Sequence, residues 1–253
     1  MKFRTISRLI YLKRARHRRG HGIHSPFLFR LITAVVEDRR RLPEYKIFKK
    51  LKDNALSLLG DFPESSLTKV YHQFNLPPSK PRKLYRKVEL PLRYGKVVFR
   101  LIREFKPSSI INYGPTLGAN LALMAMAYSD SSVYQEINNH TYELLSKELL
   151  KDSAISNIHF FPENSVPTVN PEFIMINYPD NPDLSSSVVQ KYLRMHGDND
   201  VLIIRGIHDS QEMEVIWKEM IANKSLRISL DLFEIGIALF HRGLQKENFI
   251  HRF

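Results

Sequence analysis

The sequence predicts an α/β protein whose mostly parallel sheet is closed by an antiparallel hairpin, and three observations carry that prediction. The first is Ser109-Ile110-Ile111-Asn112-Tyr113-Gly114-Pro115-Thr116-Leu117-Gly118-Ala119-Asn120, a β-branched run that breaks into a glycine turn and reopens as the apolar stretch Leu121 to Tyr128. Such a strand-turn-helix opens many nucleotide-binding α/β units. The second is a regular alternation of strand-like and helix-like segments after it, which implies βαβ units. The third is a pair of β-type runs, Arg227 to Phe233 and Gly236 to His241, too close together for another crossover and therefore a hairpin.

Composition sets the outer bounds. The 253 residues are 43% hydrophobic, enough to bury a large core, and include no cysteine, which excludes disulfides, thiolate zinc sites and a cysteine nucleophile. No apolar run approaches a membrane span, and Leu9 to Leu12 is too short for the core of a signal peptide, so a soluble cytoplasmic protein is expected. The net charge of +12 is unevenly placed: residues 1–108 hold 27 Lys/Arg against 8 Asp/Glu, whereas residues 109–253 hold 11 against 18. A basic front therefore precedes a mildly acidic back.

In chain order, residues 1–88 read as a basic, mainly helical extension ending in a Pro-rich connector, and residues 89–253 as the α/β domain. Met1 to Arg19 carries eight Lys/Arg and no carboxylate, with Phe3, Ile6 and Ile10 at helical spacing. The segment suits an anionic membrane surface, a nucleic acid such as RNA, or an arm packed against the acidic half of its own fold. His17, His21 and His24 lie among glycines and arginines with no carboxylate nearby, which reads as a turn rather than a metal site, and Ser25 caps a helix starting near Pro26. Phe27 to Val36 reads as an amphipathic helix and Glu37 to Leu59 as more charged helix interrupted near Pro43. Gly60 to Lys83, with prolines at 63, 77, 78 and 81, reads as loop. Val97, Val98, Leu101, Ile102 and Phe105 then mark a helix ending before Lys106-Pro107.

Beyond the glycine helix, Ser132 to Ile137 reads as a strand, His140 to Lys151 as a helix and Asn157 to Phe161 as a strand. Glu172 to Asn177 follows as a strand, Leu184 to Met195 as a helix, Val201 to Arg205 as a strand, and Ser210 to Ala222 as a helix carrying the single tryptophan, Trp217. In such sheets ligands lie over the carboxyl ends of the strands, where Gly114 and Gly118 would let the backbone approach; the bland alternative is a tight turn. Asn112 to Gly118 does not supply the GxGxxG of a dinucleotide fold, and a carboxylate, Glu136, ends the second strand.

These features resemble class I S-adenosylmethionine (SAM)-dependent methyltransferases. More narrowly, His21-Gly22-Ile23-His24-Ser25-Pro26-Phe27, Tyr113-Gly114-Pro115-Thr116-Leu117-Gly118, Ile207-His208 and Ile228 to Ile237 look like a bacterial group of such proteins. The resemblance implies a Rossmann-like sheet with the methionine end of SAM over Asn112, Gly114 and Gly118. It puts the ribose hydroxyls on Glu136, where a diol would meet two acceptor oxygens, and Asn164 or Ser165 near the adenine. Related proteins usually end the first strand in an acid, where this chain has Asn112, and often the fourth in Asp, where it has Asn177. The Asp pair that often precedes Ile-His is Arg205-Gly206 here. Losing the acid at 112 corresponds to about 1.5–3 kcal/mol, the scale of a hydrogen bond to a charged group. A guanidinium about 4 Å from a metal or a sulfonium would repel it by roughly 4 kcal/mol at an effective dielectric of about 20. A metal site is therefore not expected. His208 is the candidate general base, its alternative being a structural histidine before the next helix, and Asp209 the expected N-cap of that helix. Three function classes follow: a metal-independent methyltransferase of unknown acceptor, a degenerate member acting as a binding or regulatory module, and a basic protein that binds nucleic acid or a membrane surface.

Overall fold

The structure, a computed structural model, describes residues 2–15, 25–163, 165 and 167–253. His17, His21 and His24, most of the HGIHSPF motif, and Asn164 lie outside the described residues. Two compact units form: one from Arg40–Val169, the other from Asn170–Phe253 together with the N-terminal segment up to Arg39. Among the described residues no helix is long and apolar enough to cross a membrane.

The N-terminal segment holds α1 (Lys2–Arg14) and α2 (Pro26–Arg30). Ser25 caps α2 as expected, its hydroxyl accepting from the Leu28 amide at 3.3 Å with Pro26 in the first turn. The helix continues through Leu31–Val36 with widened turns, closed by the Glu37 amide on the Ile32 carbonyl at 2.8 Å. The chain is not helical from Glu37 to Pro43.

Within Arg40–Val169 the order is α3 (Glu44–Asp61), α4 (Glu64–Gln73), α5 (Pro81–Val88), α6 (Leu92–Phe105), β1 (Ser109–Tyr113), α7 (Ala119–Ala127), β2 (Ser132–Ile137), α8 (His140–Leu150) and β3 (Ile158–Pro162). The expected loop from Gly60 to Lys83 is instead largely helical. Pro63 and Pro81 sit at helix starts, where a missing N–H costs nothing, so both prolines open helices rather than break them. The strands pair in parallel in the order β3-β2-β1. Helix α7 is apolar apart from Asn120 and almost wholly buried, as a helix enclosed by its unit must be.

The other unit continues with β4 (Phe173–Ile176), α9 (Pro182–Tyr192), β5 (Val201–Arg205), α10 (Gln211–Ala222), β6 (Ile228–Asp231), β7 (Ile235–Leu239) and β8 (Glu247–Ile250). Strands β4 and β5 are parallel; β7 is antiparallel to both β5 and β6 and forms the expected closing hairpin with β6. Strand β8, absent from the sequence reading, runs parallel to β6. The expected fold class, α/β and mostly parallel with an antiparallel closure, is the one observed.

Candidate functional site

The glycine turn follows from its strand. Ile110 and Ile111 are fully buried, and past Tyr113 the backbone takes a left-handed step at Gly114 (φ +96°) and another at Gly118 (φ +99°). A Cβ on Gly118 would lie 3.1 Å from Ser146 Cα and 3.2 Å from Leu149 Cδ2, so α8 itself requires glycine there. Gly118 also starts α7 and has no side chain with which to cap it. Glu89, buried between α5 and α6, supplies that cap from a distance. One carboxylate oxygen accepts from Thr116 Oγ1 at 2.9 Å and the Leu117 amide at 2.6 Å, the other from the Asn120 amide at 2.9 Å.

At the ends of β1 and β2, Asn112 Nδ2 donates to Gln135 Oε1 at 2.6 Å, and Gln135 Nε2 donates to the carbonyls of Gly114 (2.8 Å) and Glu136 (2.6 Å). The amide at 112 is thus tied to a neighbouring amide, an arrangement a carboxylate could not reproduce because it has no proton to give. Glu136 is buried, and its Oε2 accepts from the Gly114 amide at 3.1 Å, joining the end of β2 to the glycine turn. Tyr113 stands edge-on to Phe161, ring centroids 6.0 Å apart, and burial with the charge of Glu136 pushes its pKa up to about 12. Asn112, through Gln135, and Glu136 are therefore joined to the turn that carries Gly114 and Gly118. Ser165 sits beyond β3 with its hydroxyl donating to the Pro162 carbonyl at 2.6 Å.

The remaining candidates lie in the other unit. Arg205, at the end of β5, donates from Nη1 to Asn177 Oδ1 at 2.9 Å, and its Nε lies 3.7 Å from Glu234 Oε1. Glu234 also pairs with Arg4 of α1, and Arg4 pairs in turn with Asp209. Asp209 is consequently not the cap of α10. Ser210 is, its hydroxyl accepting from the Met213 amide at 3.2 Å, because the short side chain one residue later reaches the exposed N–H groups while Asp209 turns to a guanidinium.

His208 is engaged at both ring nitrogens, Nδ1 with Glu214 Oε1 at 3.0 Å and Nε2 with Asp231 Oδ2 at 2.8 Å, and its ring stacks on Phe233. Burial alone would lower its pKa; hydrogen bonds and charge from Asp231 and Glu214 outweigh that and hold it above the ordinary histidine value. Glu214, although partly buried, is held below the usual carboxylate range by His208, by the Ser7 hydroxyl at 2.8 Å and by Lys218. To take a proton from a substrate His208 would first have to release one carboxylate. Among the described residues no group of three or more His, Asp or Glu side chains is arranged to hold a metal ion.

Sequence reasoning missed Glu89, Gln135 and Glu234. Only Gln135 carried a local signal, since alternation along β2 turns it opposite to Glu136.

No protein-family model matches the chain. No curated protein matches it either. Solved structures do. A SAH-bound methyltransferase from Podospora anserina, PaMTH1, superposes with a TM-score of 0.58 at 11% identity, covering 86% of this chain and 97% of that one. The O-methyltransferase TomG from Streptomyces achromogenes, involved in tomaymycin synthesis and solved with SAM, gives 0.52 at 12% identity over 71% and 91%. An O-methyltransferase from Bacillus cereus in complex with SAH gives 0.52 at 12% identity over 70% and 92%. The chain has the Rossmann-like fold of these methyltransferases.

Proposed function

We propose that this chain binds SAM on the glycine turn after β1 and transfers its methyl group, without a metal, to an acceptor whose identity the residues do not specify. The observation that carries the reading is Glu136, a buried carboxylate at the end of β2 anchored to the turn by the Gly114 amide. Its two carboxylate oxygens are acceptors, the complement of the two hydroxyl donors of a ribose diol. When bound, SAM would supply an electrophilic methyl on a positively charged sulfur, and the products would be S-adenosylhomocysteine, the methylated acceptor and a proton. The protein's part is positional. Gly114 brings the backbone close to the cofactor, Glu136 fixes the ribose, Glu89 holds the loop through three donors, and Asn112 is the residue nearest the methionine end by analogy with the family. Alignment of an acceptor nucleophile with the methyl group then provides most of the rate. Ser165, with Asn164, is the proposed adenine contact.

A second reading, a methyltransferase fold kept for binding or regulation, is favoured by Arg205. It stands where related enzymes place a carboxylate, and it is neutralised within its own unit by Glu234. Calorimetric titration with S-adenosylhomocysteine tests the pocket without the sulfonium charge. Saturable binding in the micromolar range, abolished by Glu136→Ala, supports the cofactor site. No binding up to millimolar concentration refutes it.

A further inference from the structure

Helix α1 departs from the usual rule: apart from Tyr11, packed on Phe233, its large apolar residues face outward. A helix docked on a globular body turns its apolar stripe inward; α1 turns inward Ser7, Tyr11 and the ion-paired Arg4, with Arg8 over the Phe233 ring. Leu12 (36% exposed) stands apart, and the other large apolar residues left outward are Phe3 (37%), Ile6 (56%), Leu9 (59%) and Ile10 (47%). At 3.6 residues per turn these four share roughly a third of the helix circumference, with Lys13 among them. The chain carries nine Lys/Arg and no Asp/Glu before Glu37. We infer that the outward face of α1 docks on an anionic lipid surface, a role separate from the proposed methyl transfer.

Three physical features select that occupant. The helix has 13 residues, about 20 Å of length, so it would lie in the interface rather than cross the bilayer. Its apolar side chains, one phenyl and three aliphatic, have nothing to offer the phosphates of RNA, whereas they can enter the boundary between headgroups and acyl chains. Pairing with a second copy of the same face would bring two uniformly basic arms together, whereas an anionic leaflet attracts them, each basic residue at the surface strengthening binding roughly fivefold. The inward polar contacts keep α1 folded on its own unit while the apolar face stays available.

The test is flotation of the full chain with vesicles of phosphatidylcholine plus phosphatidylglycerol, and with vesicles of phosphatidylcholine alone. Binding is expected to the anionic vesicles, weakened by salt, negligible on neutral vesicles, and at least tenfold weaker for the double variant Ile6→Ser with Leu9→Ser. Both side chains are more than half exposed, so the variant should melt as the parent does. Lys13→Glu should also weaken binding. The proposal is overturned by absence of binding to anionic vesicles, by binding that ignores the double variant, by retention on RNA without vesicle affinity, or by light scattering that shows a dimer dissociated by the same two substitutions.

Discussion

Replacing Glu89 should loosen the glycine turn although the residue lies far from it in sequence. The side chain is 1% exposed and accepts from Thr116 Oγ1 and from the amides of Leu117 and Asn120. Glu89→Gln keeps one acceptor but turns an NH2 group toward one of these donors and removes a negative charge from the start of α7. Loss of one hydrogen bond to a charged group costs about 1.5–3 kcal/mol, and the lost charge near the helix N-terminus adds about 0.3–1 kcal/mol. The expected destabilisation is therefore about 2–4 kcal/mol, and Glu89→Ala, which strands all three donors, should exceed it. Global urea unfolding of a two-unit chain mixes contributions, so the decisive assay is hydrogen exchange at the Leu117 and Asn120 amides. In Glu89→Gln these should exchange roughly 30- to 1000-fold faster, the same energy expressed as a ratio. Unchanged exchange at both amides would refute the assignment of Glu89 as the remote cap.

Two further outcomes concern the other unit. The raised pKa of His208 stabilises fully below its ordinary value near 6.5 and that contribution is lost as pH climbs through the raised value; the lowered pKa of Glu214 stabilises above its ordinary value of 4.5 and is lost as pH falls through the lowered one. Thermal midpoints should thus decline on the alkaline side, and His208→Gln should flatten that decline; parallel profiles for parent and variant would contradict the pairing. Gly236→Ala would place a Cβ 2.7 Å from Trp217 Cη2 and Cζ3, overpacking that costs about 1–3 kcal/mol. Because Trp217 is the only tryptophan, its emission should shift with the stability, and an unshifted spectrum at unchanged stability would show that the ring has room.

Most of the strand and helix order from Ser109 onward was legible because each buried strand is a short β-branched or aliphatic run and each turn is marked by Gly, Pro, Asn or Asp. Illegible were features set by distant partners. Pro63 and Pro81 look like breakers until a helix is seen to follow each of them. Asp209 and Ser210 are equally good caps by type, and only the guanidinium of Arg4, some 200 residues earlier, decides between them. The same holds in the candidate site: Gly114, Gly118 and Glu136 advertise themselves by spacing, whereas Glu89 is one of many charged residues in a basic stretch until the fold buries it against the turn. Strand β8, with charged and amide residues and half-buried positions, lacks the apolar run that identifies the others.

The placement of α1 also orders events during synthesis. Its partners are Asp209, Glu214 and Glu234, and Tyr11 donates to the carbonyl of His251. At about 5–20 residues per second, α1 waits roughly 10–40 s for the residues that cover its polar face. Until then α1 is a detached basic peptide with an apolar stripe, and the Arg40–Val169 unit completes its own residues within that interval. Closure over so long a loop, entropically slow to find, ends that exposure.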